Sequence, residues 1–337
     1  MKNGYKIVAL VIIALLVGVA IGWYAKPTPP TPKLEKVVLA LDWLIIGQHA
    51  PIFTALDKGY YEEAGLSVEV VRGFGSADTV KRVEAGTVTF GYGDYNSIVI
   101  SRAEGGKVKA IGVVFSKGPW TVFYRKEVGI KGPKDLEGKT VAGAGPGDID
   151  IVLLPALCKV AGVDFNKINV ISVDWGSILP MLLARKVDAS VEFVFRWANL
   201  ERDAKAAGVD VGYFLYADYG LNMYSNGFMT RDDVIKNKPE LVRGFIKATM
   251  KGYKYAFEHP DEAIDILLKY NPELDREVAR KELDIMRDLV FVPEIEEHGL
   301  GWMSKERWTT TRDMVTELFN LTTKVPVEDL YTNEFLE

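Results

Sequence analysis

The chain has 337 residues, 48% hydrophobic and 26% charged, a globular composition with length for two lobes of about 100–150 residues each. A net charge of −5 supplies none of the clustered basic surface that a nucleic-acid partner requires. The single cysteine, Cys158, excludes an intrachain disulfide and reads as a core thiol; three scattered histidines, with no CxxC, HExxH or Asp-rich calcium loop, predict no metal and no cofactor.

Lys2 and Lys6 precede an uncharged run over residues 7–25, close to the ~20 residues that span a bilayer. Residues 1–25 are thus a cleaved export signal, with small residues at Ala20 and Gly22, or an uncleaved anchor with Trp23 and Tyr24 at the interface. Either way the remainder is expected outside the cytoplasmic membrane, tethered or secreted. Residues 26–33, with Pro27, Pro29, Pro30 and Pro32, form an extended spacer.

From residue 34 the hydrophobic pattern alternates between strand and helix. Strands are predicted at 37–41, 66–71, 89–93, 110–115 and 120–124, with helices at 52–58, 76–86 and 97–104 between the first four. A polar, turn-rich segment at 132–138 marks the first passage between lobes. A second series follows: strands at 139–144, 169–173, 189–193 and 210–216, with helices at 150–161 and 177–186. The chain returns at 218–229, and beyond Pro239 it is helical, with Leu241, Phe245, Thr249, Gly252 and Tyr253 on one face and further helices at 260–269, 275–289 and 305–316. Strands spaced by crossover helices predict α/β lobes with mostly parallel sheets flanked by helices and joined by two crossover segments: lobe 1 from 34–125 and 218–337, lobe 2 from 126–217.

Ligands of such sheets bind beyond the carboxyl ends of the strands. That rule selects Trp43 and His49 after the first strand, Asp94, Tyr95, Asn96 and Ser97 after the third, and Trp120 after the fourth; in the second lobe it selects Asp148, Trp175 and Glu192, and on the return crossing Asn222 and Tyr224. The tryptophans and Tyr95 offer flat π faces to a planar or cationic ligand, or pack as core. His49 is a hydrogen-bond partner or a residue at the helix start satisfied by backbone; Glu192 accepts from a ligand N–H or pairs with Arg196 four residues on. The segment from Gly143 to Asp148 is not a dinucleotide loop, because an acid stands where the last glycine belongs. With no Walker A lysine, GxSxG elbow or Cys/His pair, no hydrolytic or phosphoryl-transfer chemistry is indicated.

Asp42-Trp43, His49-Ala50-Pro51, Phe53, Lys58-Gly59-Tyr60-Tyr61, Gly65-Leu66, Phe90-Gly91, Asp135-Leu136-Glu137-Gly138-Lys139 and Lys186-Val187-Asp188 together resemble the solute-binding proteins of ABC transporters. The branch is the one shared with the fungal thiamine-pyrimidine synthase and with nitrate, sulfonate and taurine binders. The resemblance covers nearly everything after the spacer.

It implies the two-lobed type II periplasmic-binding-protein fold, hinge closure around a solute, and docking on a permease driven by a cytoplasmic ATPase, with the protein a monomer and not an enzyme. The Trp-x-Pro-x-x-x-His pattern of the pyrimidine binders, in which the Trp stacks on the heterocycle, is matched by Trp43 and His49, with Ile45 replacing the proline. The expected ligand is therefore a small planar heterocycle of the pyrimidine or thiamine-precursor kind, a sulfonate or nitrate being the alternative. The synthase's Lys and His fall on Gly93 and Ser97, and its cysteine-rich run falls on cysteine-free residues 222–228, against that enzyme. A sensory ectodomain is a further alternative for an anchored chain.

Overall fold

A computed structural model describes residues 34–145 and 148–336. The first series is β1 (Glu35–Ala40), α1 (Ala50–Asp57), α2 (Tyr60–Glu63), β2 (Leu66–Val71), α3 (Ser76–Glu84), β3 (Phe90–Asp94), α4 (Asn96–Ala103) and β4 (Val108–Val113). The second is β5 (Trp120–Arg125), β6 (Thr140–Gly143), α5 (Ile149–Ala161), β7 (Asn169–Ser172), α6 (Ile178–Leu183), β8 (Ala189–Phe193), α7 (Trp197–Ala207) and β9 (Val211–Leu215). The chain closes with β10 (Asn226–Arg231), α8 (Asp232–Asn237), α9 (Pro239–Glu258), α10 (Pro260–Tyr270), α11 (Arg276–Val290), α12 (Pro293–His298) and α13 (Lys305–Leu318).

Two five-stranded sheets result, ordered β2-β1-β3-β10-β4 and β7-β6-β8-β5-β9. In each, one strand runs against the rest: β10 is antiparallel to β3 and β4, and β5 is antiparallel to β8 and β9. Both are the first strand after a passage between the lobes. This is the two-lobed α/β fold with mostly parallel sheets that the pattern predicts.

The lobe boundary at residue 125 needs correction. Residues 120–125 form β5, whose Trp120 to Tyr124 pair with Phe193 to Ala189, so the first passage lies between β4 and β5. The polar segment at 132–138 carries only a 3-10 turn at Pro133–Leu136, inside the second lobe. Polarity marked a turn there, and nothing local distinguishes a turn within a lobe from one between lobes. Helices α2, α7, α8 and α12 are additions to the predicted set, the apolar stripe of α7 amounting to Ala198, Leu200 and Ala204. The N-terminal run at 1–25 and the spacer at 26–33 lie outside the described residues; among those described, no helix is long and apolar enough to cross a membrane.

Burial follows strand position. Edge strand β2 alternates buried Leu66 and Val68 with exposed Ser67 and Glu69, whereas every residue of central β3 is buried. The face predicted for α9 is buried as a stripe, and its Phe245 stacks on Phe90 at 3.8 Å between centroids and on Tyr61 at 5.6 Å. Burying such a ring contributes about 2–3 kcal/mol. Cys158 is buried in the second core, and that burial pushes its thiol up to about 11, away from nucleophilic chemistry. On the outer side, α7 meets α11 through Lys281 to Glu201 at 3.0 Å and Arg202 to Asp275 at 3.4 Å.

Candidate functional site

The strand ends of the first lobe are tied together by buried polar side chains. Asp42, just past β1, is bonded through both carboxylate oxygens: His49 Nε2 lies 3.1 Å from Oδ1, and Asn226 Nδ2 donates to Oδ2 at 2.6 Å. The Ile46 N–H donates to His49 Nδ1 at 3.2 Å, which leaves the ring proton on Nε2 facing Asp42. The imidazole is wholly buried and stands edge-on to Tyr92, with centroids 5.6 Å apart. His49 is therefore a brace at the helix start, not a ligand contact; the carboxylate that holds it is Asp42, which the sequence reading left out.

Asp42 also fixes its neighbour. The Gly75 N–H donates to the Asp42 carbonyl at 2.7 Å and the Gly73 N–H to the Trp43 carbonyl at 3.0 Å, so the loops after β1 and β2 run backbone against backbone. Only glycine fits at 73, where a Cβ would lie 2.0 Å from the Leu41 carbonyl oxygen. The stitched loops present Trp43, 41% exposed, and Phe74, 66% exposed with the Arg72 guanidinium 4.4 Å from its ring centroid. Phe74 sits in a loop that the strand-end rule covers but was not singled out.

Asp94 ends β3 and accepts from Ser225 Oγ at 2.6 Å and from the Asn96 N–H at 2.8 Å. Burial raises its carboxyl to about 6, against those two hydrogen bonds, with Asp42 adding to the rise. Asn96 is buried, yet neither atom of its amide has a partner among the described residues. Ser97 is half-buried in the first turn of α4. Ser116, beyond β4, is another buried side chain whose Oγ lacks a partner.

In the second lobe, Asp148 caps α5 by accepting from the Asp150 N–H at 3.1 Å, and buried Asp150 keeps an unpartnered Oδ1. Burial raises Asp150 well above the usual carboxylate range, helped by Asp148, Glu192 and Asp94. Asp94 belongs to the first lobe, so acids of both lobes act on Asp150. Glu192 on β8 is buried with Oε1 unpartnered; its Oε2 lies 3.6 Å from Arg196 Nε, beyond hydrogen-bond length. Burial pushes Glu192 up to about 8, with Arg196 opposing and Asp148 reinforcing. The Arg196 guanidinium instead lies 3.7 Å from the ring centroid of Trp175, which is 50% exposed.

Three predicted site aromatics belong to the cores. Tyr95 is buried, stacks on Trp308 and donates to the Gly112 carbonyl at 2.7 Å, in a slot opened by Gly227, where a Cβ would lie 2.1 Å from its hydroxyl. Tyr224 is buried against Trp308, its hydroxyl donating to Glu294 at 2.9 Å and accepting from the Ser304 N–H at 2.7 Å. Trp120 is fully buried, with only its indole N–H unpartnered. Asn222 is half-buried on the return passage with a free Oδ1.

Asp94, Asn96 and Ser116 in the first lobe and Asp148, Asp150, Glu192 and Arg196 in the second form a polar floor at or near the strand ends, and Asn96, Ser116, Asp150, Glu192 and Arg196 each keep a buried atom without a partner among the described residues. Trp43, Phe74 and Trp175 are exposed. Among the described residues no cluster of His, Cys, Asp and Glu is arranged to hold a metal ion.

Known proteins share this architecture. A solved sulfonate-binding protein, SsuA of Methylobacillus flagellatus KT, superposes with a TM-score of 0.68 over 90% of this chain and 93% of its own, at 17% identity. By sequence the chain is 27% identical to the riboflavin-binding protein RibY of Chloroflexus aurantiacus, covering 93% of this chain and 89% of that one. It is 24% identical to the formylaminopyrimidine-binding protein of Halalkalibacterium halodurans, covering 91% and 95%. The fold is that of the periplasmic binding proteins, and with the NMT1/THI5-like model matching residues 46–263, the chain belongs to that family.

Proposed function

We propose that this protein is the solute-binding component of an ABC importer, acting outside the cytoplasmic membrane as a monomer that captures a small planar nitrogen heterocycle between its lobes. It would deliver that ligand to a permease, and residues 1–25 would export the protein or tether it.

One observation carries the ligand class: both lobes hold buried polar side chains without partners among the described residues, Asn96 and Ser116 in one and Asp150 and Glu192 in the other, and both expose aromatic rings at strand ends. A ligand with a flat face and several N–H groups answers both features, since stacking uses Trp43 or Phe74 and the carboxyls accept hydrogen bonds. RibY and the formylaminopyrimidine-binding protein, named for such heterocycles, support the same class. An anion would meet a single cation, Arg196, among the charged groups that act on Glu192. A synthase-type enzyme is disfavoured: Gly93 and Ser97 stand where its Lys and His would be, and Lys117 is engaged with Asp218 at 2.6 Å.

Native mass spectrometry of protein purified without denaturation, followed by calorimetry with riboflavin, an aminopyrimidine and an alkanesulfonate, tests this reading. Retention of a heterocycle supports it; binding of the sulfonate alone overturns it.

A further inference from the structure

Glu192 is a buried carboxyl without a hydrogen-bonded counterion among the described residues. Its side chain is 3% exposed, its Oε1 has no partner among the described residues, and its one nearby cation stands off at 3.6 Å. That cation, Arg196, lies over the face of Trp175, with its Nε and Nη1 also without hydrogen-bond partners among the described residues. The other charged groups acting on Glu192 are of its own sign: Asp148 at the cap of α5 and Asp150 in its first turn, the latter also acted on by Asp94 from the first lobe. Its neighbour in register on β5 is Thr121, whose hydroxyl already donates to the Phe214 carbonyl at 2.7 Å. An ionised Glu192 would be a buried charge without a hydrogen-bonded counterion, a costly arrangement.

Resting on the heterocycle reading, we propose that Glu192 recognises its ligand as a neutral carboxyl, its O–H donating to a ring nitrogen while its carbonyl oxygen accepts from an adjacent exocyclic N–H. The ligand class is then narrowed to heterocycles with an amidine-type edge, an sp² ring nitrogen next to an amino group. A carboxylic acid matches that edge with two parallel hydrogen bonds, whereas a carboxylate would set a lone pair against the ring nitrogen. No bond to carbon forms or breaks, and the proton stays within the pair. Burial and Asp148, which push the carboxyl up to about 8, keep it neutral at physiological pH. Asp94, at about 6, changes charge below the range in which Glu192 does.

The test is calorimetry with 4-amino-5-hydroxymethyl-2-methylpyrimidine from about pH 7 to about pH 9.5, in two buffers of different ionisation enthalpy. The wild type is expected to bind with little change to about pH 8 and to weaken by up to roughly tenfold per pH unit above it, taking up one proton. Glu192→Gln, whose amide supplies the same donor and acceptor, is expected to bind with a flat profile; Glu192→Leu is expected to lose at least tenfold at every pH. Thermal unfolding of each variant verifies that it is folded. A wild-type affinity constant to about pH 9.5, or a Gln variant as impaired as the Leu variant, overturns the inference and leaves the heterocycle reading standing. Failure of the wild type to bind any aminopyrimidine or flavin overturns both.

Discussion

Replacing Glu282 by Gln isolates the energetic consequence of burying an acid away from the candidate site. Glu282, on α11, accepts from the Gly47 N–H at 2.7 Å, in the loop that leads to His49. The loop is pressed on the helix so closely that a Cβ at Gly47 would lie 2.3 Å from the Ala279 carbonyl oxygen. Burial raises the carboxyl from its ordinary 4.5 to about 7, against the pull of the Gly47 N–H. Between those values the folded chain holds a proton that the unfolded chain has lost. Stability from this group is therefore fully present below about pH 4.5 and declines as pH rises through 7. At about 1.4 kcal/mol per pH unit, the loss reaches roughly 3 kcal/mol. Gln keeps an oxygen for the Gly47 N–H and does not titrate, but it buries an extra NH₂ at about 1 kcal/mol. Urea unfolding is expected to show Glu282→Gln less stable than wild type by about 1 kcal/mol near pH 4 and more stable by about 2 kcal/mol near pH 8. A difference between the two proteins that does not change with pH would refute the reasoning.

His49→Ala strips a partner from both Asp42 and the Ile46 N–H and leaves a cavity, so urea unfolding is expected to show a loss of about 3–4 kcal/mol; a loss under about 1 kcal/mol would remove the bracing role. Trp43→Ala is expected to weaken heterocycle binding by about ten- to a hundredfold in calorimetry with little change in melting temperature, since the ring is largely solvent-facing; unchanged affinity would exclude stacking on it. Gly252→Ala, in mid-helix, gains about 1 kcal/mol of helix propensity, yet its Cβ would meet Ala55 Cβ at 2.5 Å and the Pro51 carbonyl oxygen at 2.6 Å. Net destabilisation of about 1–3 kcal/mol is expected in the same assay, and a stabilised variant would show that α1 and α9 separate freely.

The candidate site was legible where geometry is local. Trp43 leaves the end of a strand, and a short apolar-to-turn transition suffices to place it at the rim. Tyr95 has the same local signature but turns inward, because Gly227, 132 positions along the chain from it, leaves a slot for its hydroxyl. Asp42 went unnoticed for a related reason: its partner Asn226 is 184 positions away. The alternation of strands and helices gave both sheets, since hydrophobic period is a short-range property. It did not give the direction of β5 or β10, because direction depends on what a strand pairs with and leaves no trace in its own hydrophobic period.

Those two strands also explain why the polar floor lies where it does. Each enters its sheet at an interior position, β10 between β3 and β4 and β5 between β8 and β9, immediately after the chain has passed from one lobe to the other. Both passages are therefore anchored by hydrogen-bonded ladders on two sides instead of hanging from an edge. An antiparallel strand placed among parallel ones begins beside their carboxyl ends. Ser225 and Asn226 thus arrive next to Asp94 and Asp42, and Trp120 arrives beside Phe193, one residue past Glu192. The residues that end the passages and those that face the space between the lobes are consequently hydrogen-bonded neighbours. Charge-assisted bonds such as Asn226 to Asp42 contribute about 1.5–3 kcal/mol each, so the end of the return passage is fixed to the end of β1 within the first lobe.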